Sequence, residues 1–113
     1  MANVFKNAKL PLSDTLTDIY TVPAATTAIV FNAHVANVSA ITPTASAHFP
    51  VDLLWTDSSD SDNATYIAKN VVVPYGASYE PISKLILEAG DKLRGNSSAS
   101  ASLEITLSIL EQS

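Results

Sequence analysis

The run Ser102 to Leu110 alternates without a break, with Leu103, Ile105, Leu107 and Ile109 on one side and Ser102, Glu104, Thr106 and Ser108 on the other. Successive side chains of a β-strand project to opposite faces, so this spacing predicts a strand with one dry face and one polar face. A helix would scatter the same four aliphatics around its circumference. A one-residue slip in pairing would turn all four into water, so the register is expected to be firm. We therefore place this strand at the centre of an antiparallel sheet and ask which segments can partner it.

Several can. Ala28 to Asn37 alternates again, with Ile29, Phe31, Ala33 and Val35 expected on one face and Val30, Asn32, His34 and Ala36 on the other. Ala47 to Thr56 places Phe49, Val51, Leu53 and Trp55 together, opposite His48, Asp52 and Thr56. The polar stretch Asp57 to Asn63 then separates it from Ala64 to Val73, and strand, polar loop and strand predict a hairpin. Asp18 to Val22 is a short strand closed by Pro23, and Val38 to Ser46 reads as a connecting loop. Pro74-Tyr75-Gly76 is a turn, because Pro presets φ and Gly accepts positive φ.

Ser78 to Leu87 has two readings. Ile82, Leu85, Ile86 and Ala89 have helical spacing, while Pro81, Gly90 and the Leu85/Leu87 alternation favour a strand, which we prefer. Glu88 to Asp91 is a tight turn, Lys92 to Arg94 a short strand and Gly95 to Ala101 a loop of small residues. Residues Met1 to Thr17 are polar and weakly patterned. Leu10-Pro11-Leu12 fits a short edge strand, and the rest reads as an extended N-terminal arm.

About seven or eight strands at roughly ten-residue spacing, without a strong helix, predict an all-β antiparallel β-sandwich, Ig-like or jelly-roll-like. The expected organisation is an arm or edge strand over 1–17 and a sandwich domain over 18–113. At 113 residues this is one domain, able to hide roughly two-thirds of its unfolded surface. Ala, Ser and Thr supply 16, 14 and 10 residues, so the core must come from a limited set of Val, Ile, Leu and Phe with Trp55.

Chemistry is sparse. The net charge of −5 argues against a nucleic-acid groove. No cysteine is present, which excludes a disulfide framework or thiolate metal site. The sequence has neither a long apolar run nor a charged and apolar leader at Met1, so we expect neither a membrane span nor export by a signal peptide. Asp57, Asp60 and Asp62 offer oxygen ligands for Ca²⁺, but not at EF-hand spacing, and a solvated hairpin tip is the plainer reading. His34 and His48 lie on consecutive strands. Were these to pair about Thr42, the two rings and Asp52 would form a weak metal candidate, against the plainer reading of surface histidines.

The only glycines are Gly76, Gly90 and Gly95, so a nucleophile elbow and a P-loop are both missing. No catalytic residue, metal ligand or cofactor is assigned, and an enzyme is not expected. Tyr20, Tyr66, Tyr75, Tyr79 and Trp55 are the residues available for a carbohydrate or protein surface. Trp55 shares a face with Phe49, Val51 and Leu53 and reads as core. Tyr75 and Tyr79 flank Gly76-Ala77-Ser78 and are the expected interface residues.

The runs Thr21-Val22-Pro23-Ala24-Ala25-Thr26-Thr27-Ala28-Ile29-Val30, Val35-Ala36-Asn37-Val38-Ser39 and Val71-Val72-Val73-Pro74-Tyr75-Gly76-Ala77-Ser78 come in a fixed order. Leu85-Ile86-Leu87-Glu88-Ala89-Gly90-Asp91-Lys92-Leu93 and Leu107-Ser108-Ile109-Leu110-Glu111 follow. In this order the set resembles small all-β virion structural proteins of tailed bacteriophages, over about residues 18 to 111. The resemblance implies a sandwich in the virion, made in the host bacterial cytoplasm, as a capsid decoration or cement protein or a neck or tail component. It implies many copies, homo-oligomers and partners among other virion proteins, with no nucleic acid or membrane partner. It transfers no catalytic residue. Tyr75 stands where a small residue is expected. The alternative is a carbohydrate- or receptor-binding module of a phage fibre or spike.

Overall fold

The computed structural model describes residues 2–39, 48–98 and 102–113. Among these residues it forms nine strands: β1 (Asn3–Pro11), β2 (Thr17–Thr21), β3 (Thr27–Asn37), β4 (Phe49–Asp57), β5 (Asn63–Val73), β6 (Ser78–Ile82), β7 (Leu85–Leu87), β8 (Lys92–Ser97) and β9 (Leu103–Gln112). Most of the connection expected over Val38 to Ser46, and the last part of that over Gly95 to Ala101, lie outside the described residues.

The first sheet has the order β1-β9-β3-β6, with β7 also paired to β3; the second has the order β2-β8-β4-β5. All pairings are antiparallel, and one set of them is nested: β1 with β9, β2 with β8, β3 with β6 and β7, β4 with β5; the pairs β9–β3 and β8–β4 complete the two sheets. One long nested hairpin rolled over itself in this way is a jelly-roll sandwich. No helix in the described residues is long and apolar enough to cross a membrane.

The alternating strand at Ser102 is β9, flanked by β1 on one side and β3 on the other. Leu103, Ile105 and Leu107 are fully buried, and so is Ile109 but for 2%. They join Val30 and Val35 of their own sheet and Val51, Leu53 and Leu93 of the other in one core. Each such side chain contributes about 1.5–3 kcal/mol by leaving water. Trp55 and Tyr79 pack against the same core from its margin.

Four expectations change. The strand count is nine rather than seven or eight: the edge strand expected at Leu10-Pro11-Leu12 takes in the residues read as an arm and spans Asn3–Pro11, registered on β9 from Asn3↔Gln112 to Pro11↔Glu104, and a later segment divides in two. Ser78–Leu87 is two short strands broken at Ser83 and Lys84. Pro81 fits because β6 is the sheet edge, where a missing N–H costs no ladder bond. The strand expected to stop at Arg94 runs to Ser97 through the buried Gly95. A Cβ there would stand 3.0 Å from the Asp52 carbonyl and 3.1 Å from Ile19 Cδ1, so glycine permits close packing rather than a loop.

The fourth change concerns β3. Its pairing with β9 shifts between Val30 (opposite Ile109) and Asn32 (opposite Ser108), leaving Phe31 as an extra residue in a bulge. Ala28 and Val30 are buried before the bulge, and Ala33 and Val35 after it. The inward phase thus slips by one, and Phe31 leaves the face it was expected to share with Ala33 and Val35. Bulges characteristically re-aim one side chain in this manner.

Candidate interaction surface

The register of the first sheet arranges its outer face in rows perpendicular to the strands. One row is Phe5, Leu110, Ile29 and Ile86, each directly opposite the next across β1, β9, β3 and β7. All four side chains are apolar and point away from the core. The bulge adds Phe31, whose ring stacks on Phe5 with centroids 6.5 Å apart and planes 25° from parallel. Phe5 is 77% exposed, Ile86 62% and Phe31 40%. Beside the two rings lies an open depression of about 490 Å³, lined by Phe5, Lys6, Asn7, Phe31, Ser108 and Ile109.

Polar rows bracket this stripe. Asn3, Gln112 and Thr27 form the row towards one end, and Asn7, Ser108 and Asn32 the row on the other side. Lys9, Thr106 and His34 come next, with His34 Nε2 3.5 Å from the Glu80 carboxylate. An apolar, uncharged centre inside a polar rim is the anatomy of a protein–protein contact.

The outer face of the second sheet differs in kind. Asp18 holds Arg94 at 2.6 Å and Lys92 at 3.6 Å. Lys69 stands 4.5 Å above the Tyr66 ring, and Asp52 accepts a 2.8 Å bond from the Asn70 backbone N–H. These groups are partnered locally and suit contact with water.

The residues singled out in the sequence are dispersed. Tyr75 sits on the Pro74–Ala77 turn, closed by the Ala77 N–H to Pro74 carbonyl bond with Gly76 at φ 73°. It is 38% exposed, and its backbone N–H donates to His48 Nδ1 at 3.0 Å. Tyr79 lies opposite Val35 and packs against the core, so the two tyrosines address different surroundings. His34 and His48 do not form a pair. β3 belongs to the first sheet and β4 to the second, so their strands are not neighbours.

The acidic hairpin tip is also rearranged. Asp57 caps the 3₁₀ turn at Ser58–Asp60 by accepting from the Ser59 N–H at 3.1 Å. The carboxylates gathered together are Asp57, Glu88 and Asp91, which bring one oxygen each within 4.8 Å of one another. Buried Asp91 accepts from the Ser58 N–H at 2.9 Å, the Ser58 hydroxyl at 3.1 Å and the Glu88 N–H at 2.9 Å. These bonds tie the β4–β5 tip to the β7–β8 turn and account for Asp91 as a structural bracket. Sequence reading missed the pairing of these two turns, for which no local signal exists.

No protein-family model matches the chain, and no curated protein matches it in sequence. Solved structures do resemble it. Bacillus endospore appendages, described as disulfide-linked pili, match 99% of this chain and 87% of theirs, with a TM-score of 0.57 and 12% identity. The acid-stable capsid of Helicobacter pylori bacteriophage KHP30 matches 98% of this chain and 87% of its own at a TM-score of 0.55 and 11% identity. A triple jelly-roll protein of an archaeal virus turret assembly matches 97% of this chain over 28% of its own, at a TM-score of 0.52 and 17% identity. The shared property is the fold, and viral capsid proteins are among the chains that have it.

Proposed function

We propose that this chain is a virion structural protein of a tailed bacteriophage, without enzymatic activity, present in many copies as a capsid decoration, neck or tail component. The observation that carries the reading is the outward apolar stripe of Phe5, Phe31 and Ile86, on a sandwich whose opposite outer face carries the ion pairs of Asp18 with Arg94 and Lys92. A lone monomer gains nothing from holding two phenylalanines in water, whereas a subunit that covers them gains area. The fold it shares with a bacteriophage capsid protein supports the same reading. Strength in such an assembly comes from repeating modest contacts through symmetry. The chain has no cysteine, so its contacts are noncovalent with respect to disulfides. We place Tyr75 at a second contact, on the exposed turn.

Quantitative mass spectrometry of gradient-purified virions tests this. The proposal expects the chain in the particle fraction at many copies per particle. Recovery only as free protein would refute it.

A further inference from the structure

We infer that the partner of the stripe is a second copy of this chain, packed face to face about a two-fold axis that runs along the strands between β9 and β3. This deepens the virion reading by naming what meets that face, and it takes its setting from that reading.

The free edges argue against association by strand addition. β1 turns Lys6 inward, opposite Ile109, and ends in Pro11. β2 has five residues and a register shift, β5 carries Asn70 at φ 53°, and β6 contains Pro81. Inward charges, prolines, short strands and bulges are the means by which edges are kept from pairing. A face remains.

The stripe is complementary to itself. Its β1 end has Phe5 and the depression beside the stacked rings, and its β7 end has the protruding Ile86. A two-fold axis along the strands reverses the row, so Ile86 of each copy meets Phe5 and the adjoining depression of the other. This is the reciprocal contact of an isologous interface. Four strands at about 4.8 Å spacing make the row roughly 14 Å long, which sets the separation of Phe5 from Ile86 within one copy.

Charge permits a like partner here. All seven aspartates lie off the strands of the first sheet, on β2, β4 or the connections, and the outer face carries Lys9 against Glu80 and Glu104. Two copies therefore meet on a face that is close to neutral, with one lysine against two glutamates, despite a net charge of −5 each. The exposed parts of Phe5, Phe31 and Ile86 amount to roughly 350 Å² of apolar surface per copy on ordinary side-chain areas, close to half of the ~800 Å² that each partner gives to a standard interface. The polar rows on either side supply the remainder.

Because the chain has no cysteine, disulfide trapping reports the geometry cleanly. The Phe5→Cys and Ile86→Cys full-length proteins are purified separately, then oxidised alone and mixed. The geometry predicts a mixed 5–86 disulfide that far exceeds the homodimers of either variant. Sedimentation of the parent should show a monomer–dimer equilibrium whose dissociation constant rises at least about tenfold in Ile86→Asp, with unchanged far-ultraviolet circular dichroism. Dominant 5–5 or 86–86 linkage, or a monomer at every concentration with no cross-link, overturns the inference. A monomer that is nevertheless abundant in virions would overturn it and leave the virion reading standing. A trapped dimer absent from virions would do the reverse.

Discussion

The Tyr20 hydroxyl donates a 2.5 Å hydrogen bond to the Glu111 carboxylate and so joins β2 of one sheet to β9 of the other. Lys6 reaches the same carboxylate at 3.3 Å, and Glu111 is only 9% exposed. Burial, then the bond to Glu111 and its charge, hold the Tyr20 phenol well above its usual pKa. The unfolded chain loses that proton near pH 10, while the folded chain keeps it. The unfolded state then binds fewer protons, so stability present at neutral pH is lost as pH rises above about 10. Urea titrations of the parent should show this alkaline decline. Tyr20→Phe should cost about 1–3 kcal/mol at pH 7, because Glu111 loses a donor, and should flatten the decline. An unchanged pH profile in Tyr20→Phe would show that the bond does not govern it.

Leu107→Asp should prevent folding, whereas Thr106→Asp should yield soluble protein. Leu107 is fully buried in β9 and Thr106 faces outward. An unpaired buried carboxylate costs several kcal/mol, comparable to the whole stability of a domain. Soluble expression and circular dichroism of both variants check this, and equal loss from both would contradict the assigned faces.

Asp91→Ala removes three hydrogen bonds and leaves the Ser58 and Glu88 backbone N–H groups without their acceptor. The expected loss is about 3 kcal/mol, read as a drop in the urea midpoint. Asp60→Ala, on the exposed tip, should change it by less than about 0.5 kcal/mol.

Tyr75→Ala tests the second proposed contact. Tyr75 lies on an exposed turn, so the isolated protein should keep its melting temperature within a few degrees while occupancy on virions falls. Unchanged occupancy rules out that contact. Tyr79→Ala, which removes a ring from the core margin, should instead lower the melting temperature.

How much of this was legible depends on whether a signal is local. β9 was read correctly because four aliphatics at period two admit one register and one dry face. β1 was not read in full, because its alternation is inverted at Phe5 and Lys6, although Ala8 and Leu10 beyond them turn inward in the ordinary way. Lys6 points inward to Glu111 while Phe5 points outward, so the hydrophobic pattern cancels. Phe31 misled for a related reason. Nothing in Val30-Phe31-Asn32 announces the extra residue, which is defined only by the partner strand. The stripe joins residues from four strands far apart in sequence, so it exists only once they are paired. The jelly-roll order was open for the same reason, since nesting is a property of long-range pairing.

The most direct measurement of the central claim is a cryo-electron microscopy map of the intact virion, resolved well enough to place this sandwich. The account predicts many symmetry-related copies with Phe5 and Phe31 covered by protein. A particle without the sandwich, or one in which every copy turns that stripe to solvent, would contradict it.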